Sequence, residues 1–287
     1  MKTLHKKALS AAALALLTGL ACSSAFAADT PTDPEDAGSP IAANVTIVND
    51  YRYRGISQSN FKPAIQGGFD YAHESGFYIG DWNSSIGWIS DPYTSTGNLS
   101  SANPTGKSVS APIEMDFYAG YKKEFIGEGF ASDVGILQCY YPTSGLPNGA
   151  INPNTTGLYA AQNFTFGPVT GFVKFSYALT NTFGNANSKG SYYPDLTVNY
   201  DTGVWGLSLN GHVGYQYIAG TLAGTTVSNS SLYTYTDWKV SVTKDFGGGL
   251  SGSVAYVGTN ANIAGYYSPQ NSNLGRSTGL ISLTKTF

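Results

Sequence analysis

Three stretches of the 287-residue chain carry residue types that could do chemistry. Gly275–Arg276–Ser277–Thr278–Gly279 spells the G-x-S-x-G pattern of a serine nucleophile. Gly247–Gly248–Gly249–Leu250–Ser251–Gly252 spells the G-x-G-x-x-G of a phosphate-cradling turn, and Asp50, Arg52 and Arg54 place a carboxylate and two guanidinium groups at every second position. The first two fail on context. A nucleophile elbow needs a helix behind the serine and a histidine later in the chain, yet Ser277 runs into an alternating segment and His73 and His212 both precede it. A phosphate-binding glycine run opens a helix, whereas this one leads into alternating Leu250, Gly252, Val254 and Tyr256 and reads as a turn.

The third stretch survives. On an extended segment Asp50, Arg52 and Arg54 share one face, and Val45, Ile47, Tyr51 and Tyr53 share the other. Charges at that spacing cannot face hydrocarbon, where each costs about 2–4 kcal/mol near the midplane. They must point into an aqueous interior or lie near a strand end. There they could set the field of a pore and orient anionic groups; the plainer reading is that Asp50 pairs with the arginines and holds strands in register.

The elements that must position these groups are strands. Segments of about ten alternating residues recur along the chain, as expected of tilted membrane-spanning strands. The clearest is Trp205–Gln216, with Trp205, Leu207, Leu209, Val213 and Tyr215 on one face and Ser208, Asn210, His212 and Gln216 on the other. In Ile113–Lys122 the outward set is Ile113, Met115, Phe117, Ala119 and Tyr121, against inward Glu114, Asp116, Tyr118 and Lys122. Val173–Tyr177, Leu196–Tyr200 and Trp238–Val242 follow the same rule, while the phase of Phe77–Ser85 is ambiguous because Phe77 and Ile79 compete with Tyr78 and Trp82 for the apolar side. Short connections at His73–Gly76, Gly127–Gly129, Gly167–Pro168, Asp201–Gly203 and Gly247–Gly249 alternate with long polar ones at Ile86–Pro112, Pro142–Thr156, Ile218–Ser230 and Asn260–Gly275. That asymmetry belongs to barrels with short periplasmic turns and long external loops. The expected fold is an all-β transmembrane antiparallel up-and-down barrel of about twelve strands over residues 41–287.

Composition and the chain ends agree. Charged residues make up 11% and aromatics 14% of the chain, against about 25% charged in ordinary soluble domains. Lys2, Lys6 and Lys7, an apolar run from Ala8 to Leu20 and then Ala25–Phe26–Ala27 read as a secretory signal peptide over residues 1–27. Residues 28–40 read as a flexible acidic periplasmic leader. After cleavage Cys139 stands alone, so no internal disulfide forms. The formal charge of -3 offers no argument for nucleic acid. Gly279–Phe287 alternates down to an aromatic residue on its apolar face, like the signal read by the barrel-assembly machinery. Lys285 departs from that pattern and is expected to snorkel.

The run Asn44–Gln58, continuing through Pro63–His73 to Gly76–Gly80, resembles the proteobacterial family catalogued as Gcw_chp, also described as candidate porins of the TorF family. The match is most specific in Asp50–Ser57 and Gln66–Gly76. The resemblance implies an outer-membrane barrel with a pore-like role, and it carries no catalytic residue.

The resulting expectation is a bacterial outer-membrane channel through which small polar solutes or ions diffuse passively. Asp50, Arg52, Arg54, Asp70, Glu114, Asp116, Asp133, Lys174, Asp195, His212, Asp237 and Lys239 are expected to line it. Its partners are then outer-membrane lipid, the solutes, and the assembly machinery during biogenesis. An inward aromatic or a folded-in loop could plug so narrow a barrel. Two alternatives stand beside it: a non-conducting barrel that engages an external partner through its long loops, and a barrel esterase or phospholipase built around His212. The phase of His212 places it inside, away from lipid. Neither a cofactor nor a metal site is expected, because His73, His212 and Cys139 are widely spaced.

Overall fold

The computed structural model describes residues 40–94, 97 and 107–287; the expected signal peptide and all but Pro40 of the leader lie outside them. In chain order the strands are β1 (Ile41–Val48), β2 (Arg52–Tyr53), β3 (Ile56–Ser57), β4 (Ala64–Ala72), β5 (Phe77–Ser85), β6 (Ile113–Gly127) and β7 (Phe130–Tyr140). They continue with β8 (Thr155–Phe166), β9 (Val169–Ala178), β10 (Tyr192–Asp201), β11 (Leu207–Gln216), β12 (Tyr235–Gly247), β13 (Leu250–Thr259) and β14 (Thr278–Thr286). All but β2 and β3 form one closed barrel in which every strand pairs antiparallel with its chain neighbour. The barrel closes where β1 meets β14, with Val45 opposite Lys285 and Ile47 opposite Leu283. Closure leaves no sheet edge, so the backbone polar groups of the wall are satisfied within it, as hydrocarbon requires.

The alternation fixes which face each side chain takes. Ile65, Phe69, Val134, Val173, Val240, Val254 and Ile281 stand exposed on the outside, while Thr46, Gln66, Ser84, Thr197, Asn210 and Thr243 are buried inside. This inverts a water-soluble protein. A contiguous apolar exterior of that size is a liability in water and a solvent match in a bilayer. Inward space is made by small residues. At Gly214 a Cβ would lie 2.0 Å from the hydroxyl oxygen of Tyr193, so the ring of Tyr193 lies across β11 only because that position has no side chain.

Connections segregate by length. The turns after β4, β6, β8, β10 and β12 are short and lie at one end; the loops after β1, β5, β7, β9, β11 and β13 are longer and lie at the other. Two expectations about strands change. Trp205 is not on β11 but in the preceding turn, at φ 56° and 81% exposed, because the chain needs a left-handed step there before pairing begins at Leu207. In β5 the phase resolves with Phe77 and Ile79 outward and Tyr78 and Trp82 inward. The ambiguity arises from Asp81 and Asn83, which also face outward; Asp81 accepts a hydrogen bond from the amide of Asn83 and one from the backbone N–H of Phe69 at 3.4 Å.

Candidate functional site

The largest departure from the sequence reading is at the end of β1. Tyr51 and Tyr53 were expected outward on the same strand as Val45 and Ile47, yet the strand stops at Val48 and residues 49–63 fold inward. Asn49 is the reason. Its Oδ1 accepts the backbone N–H of Ile281 at 2.8 Å and its Nδ2 donates to the carbonyl of Gly279 at 3.3 Å. The side chain thereby takes over ladder bonds that the next backbone groups would have made, and the main chain is released to turn away from the wall. The backbone then reverses at Arg54 and Gly55, with φ 47° and 76°. Two central residues at positive φ are the geometry of a type I′ hairpin turn, and β2 and β3 pair across it.

The hairpin is a charged, buried insert. Asp50 accepts the Nε of Arg52 at 2.6 Å and the hydroxyl of Ser57 at 2.6 Å. Arg52 Nη1 also donates to the carbonyls of Gly55 at 2.8 Å, Leu274 at 2.9 Å and Arg276 at 3.1 Å. The ring of Phe61 lies between the guanidinium groups of Arg52 and Arg276, at 5.3 and 4.2 Å. Arg54 sits 3.9 Å over the ring of Tyr193 and donates to Gln216 on the opposite wall. External loops hold the insert from above: the carbonyl of Gln58 accepts the backbone N–H groups of Gly87 and Trp88, and Ser57 N–H donates to the carbonyl of Leu274.

The other expected lining residues all sit on inward positions of barrel strands. Asp70 accepts the hydroxyl of Tyr118 at 2.5 Å, and Asp133 that of Tyr78 at 2.7 Å. Lys174 faces Asp195 at 3.7 Å. Tyr193 donates to Asp237 at 2.9 Å, and His212 joins them, with Nε2 3.1 Å from Asp237 and Nδ1 3.0 Å from Thr197 Oγ1. Lys239 lines a cavity beneath the hairpin with Thr46, Gln66, Ser282 and Thr284. Both histidine nitrogens are held by neighbours, and the hydroxyl at Nδ1 belongs to a buried threonine, which is not the accessible serine that an esterase would use.

Glu114, Asp116 and Cys139 meet on the inner wall of β6 and β7, each offering one donor atom within 4.8 Å of the others. Glu114 accepts the hydroxyl of Tyr141 at 3.2 Å. Two carboxylates and a thiol are donors of the kind a divalent cation takes. Sequence spacing does not display this grouping, because Asp116 and Cys139 are brought opposite each other only by strand register. Tyr118 was expected inward and is; Tyr78, whose phase was ambiguous, and Tyr159 and Tyr193, which sequence reasoning did not assign, join it there. Their signal was the inward phase of tyrosine beside carboxylates on neighbouring strands.

A closed twelve-stranded antiparallel barrel with an apolar exterior and a polar, charged interior is a bacterial outer-membrane barrel of the porin-like type. Residues 33–287 match the model of the Gcw_chp family, described as a bacterial protein of unknown function, and the chain belongs to that family. No curated protein matches its sequence. Among solved structures it is similar to the NanC porin, with a TM-score of 0.51 at 9% identity over 86% of this chain and 98% of that one. The KdgM porin is matched with a TM-score of 0.47 at 7% identity over 86% and 97%, and the COG4313 outer membrane channel from Pseudomonas putida F1 with 0.49 at 13% over 87% and 96%. At such identities the NanC likeness speaks for the fold.

Proposed function

We propose that the protein is a porin-like channel that passes small polar solutes or ions by passive diffusion, with the in-turned hairpin as its constriction. One observation carries this reading: the polar interior of a sealed barrel holds a charged insert with cavities on both sides of it. Below lies the cavity lined by Lys239 and the hydroxyls of Thr46, Ser282 and Thr284. Above lies a vestibule whose wall includes Tyr53 and Gln216. A barrel used only as a membrane anchor gains nothing from keeping Asp, Glu, Lys and Arg inside, where each must be matched by a partner. Acidic lining residues outnumber basic ones, which favours cations mildly; Arg54 on the in-turned hairpin opposes them.

Planar-bilayer recording of the purified protein tests the proposal. Discrete current steps are expected, with a reversal potential in a salt gradient on the cation side, and Arg54→Gln moves it further that way. No current from either the native chain or a variant with a loosened hairpin would overturn the channel reading. That result would leave the non-conducting barrel whose loops engage an external partner.

A further inference from the structure

Above the hairpin, at the end of the barrel that carries the long loops, is a cavity of about 280 Å³. It lies just under the ~300–1,000 Å³ typical of small-molecule sites. Its walls are rings: Tyr53, Trp88, Phe183, Tyr235, Tyr266 and Tyr267 all face it. These rings are fixed by one another. Tyr53 meets Phe183 edge-on at 5.3 Å, Tyr235 meets Tyr266 at 5.2 Å, and the hydroxyl of Tyr266 donates to the carbonyl of Tyr233 at 2.8 Å. Such a site presents flat apolar faces that need no rearrangement to receive a ligand, which reduces the ordering cost of binding.

The polar groups of the cavity narrow the chemistry. Among the described residues, no aspartate, glutamate, lysine, arginine or histidine lines it. Three amides do, and Gln216 is committed, with Oε1 accepting from Arg54 and Nε2 donating to the carbonyls of Tyr192 and Tyr217. Gln58 and Asn185 are committed only through their nitrogens, which donate to the carbonyls of Ile56 and Thr182, both at 3.0 Å. Their carbonyl oxygens remain as acceptors. A ligand that suits this set carries hydroxyl donors for those oxygens and apolar C–H faces for the rings. A carboxylate would meet the amide acceptors, while the nearby guanidinium of Arg54 is already engaged by Gln216 and the ring of Tyr193; a plain hydrocarbon would leave the amide oxygens without donors.

We propose that this vestibule binds a neutral saccharide of one or two rings and presents it to the constriction. The proposal rests on the channel reading for its purpose, but its test does not depend on current. Glucose, maltose and galacturonate are titrated against the full chain in detergent while the emission of its tryptophans, Trp88 among them, is followed and calorimetry is run in parallel. Saturable binding of glucose or maltose is expected, with galacturonate about tenfold weaker or more. Tyr267→Ala and Asn185→Ala, both in external loops, should each weaken the sugar about tenfold. Heat-modifiable electrophoretic mobility verifies that these variants still form the barrel.

Absence of saturable binding by either neutral sugar overturns the proposal. So does tighter binding of galacturonate, or affinity unchanged by both variants. A chain that binds sugar yet passes no current keeps this inference and loses the channel; one that conducts yet binds no sugar does the reverse.

Discussion

Between Lys239 and Val240 the side chain crosses from lumen to lipid within one residue of β12. Lys239 lines the lower cavity, whereas Val240 is 58% exposed on the apolar belt between Gly211 and Tyr256 of the adjoining strands. The same substitution therefore has two values. Val240→Arg should lower barrel stability by about 2–4 kcal/mol if it lies near the midplane, and Lys239→Arg, which keeps a cation on the polar inner face, should cost less. Urea unfolding of vesicle-reconstituted protein, followed by tryptophan emission, measures both. Equal tolerance at the two sites would contradict the inside-out assignment. Outward polar groups that do occur are relieved locally: Lys285 donates to the carbonyl of Gly248 and lies 5.1 Å from the ring of Phe287, and Asp81 is bonded to Asn83. Relief of that kind is what an arginine at Val240 lacks.

The β2–β3 hairpin is the element on which the channel reading turns, and its attachment depends on close packing at one backbone position. Gly55 has φ 76°, and a Cβ there would lie 2.3 Å from Thr259 Cγ2 and 2.9 Å from Asp237 Cβ. Gly55→Ala adds left-handed strain of about 1–2 kcal/mol to that clash, so the hairpin should lift from the wall while the barrel strands keep their pairing. Single-channel conductance is expected to rise, and limited proteolysis should open new cleavage sites within residues 49–63. Unchanged conductance and cleavage would mean that the hairpin does not set the constriction. The sequence made the barrel legible because lipid and water impose a period of two on every wall strand, as in Ile113–Tyr121 and Leu207–Gln216. The hairpin escaped for the same reason, since Tyr51, Arg52, Tyr53 and Arg54 alternate as a wall strand does. What distinguishes them is tertiary. Asn49 ends β1 by bonding to β14, more than two hundred residues away in sequence, and only the Arg54–Gly55 pair hinted locally at a tight reversal. The Tyr118–Asp70 and Tyr78–Asp133 contacts were equally hidden, because each joins strands that are not adjacent in the chain.

At the scale of the whole molecule the weak point is the seam, where the two ends of the sheet must find each other across the entire chain. Five residue pairs join β1 to β14, from Asn44 opposite Thr286 to Val48 opposite Ser282. Beyond them the backbone of Phe287 exchanges hydrogen bonds with Ala43, donating at 2.8 Å and accepting at 3.3 Å. The Phe287 side chain contributes little to this, since its ring is 73% exposed on the lipid side. Phe287→Ser keeps the backbone pairing and removes only the ring, so the barrel refolded in detergent should stay within about 0.5 kcal/mol of the native one. In the cell the outcome should differ. If the outward aromatic is what the assembly machinery reads, the variant's yield in the outer membrane falls several-fold while the native protein's does not. Quantitative immunoblotting of membrane fractions beside thermal unfolding of the refolded protein measures the two effects separately. Full outer-membrane yield from Phe287→Ser ends the reading of this ring as an assembly signal, and a matching loss of stability in detergent would reassign it to the seam itself.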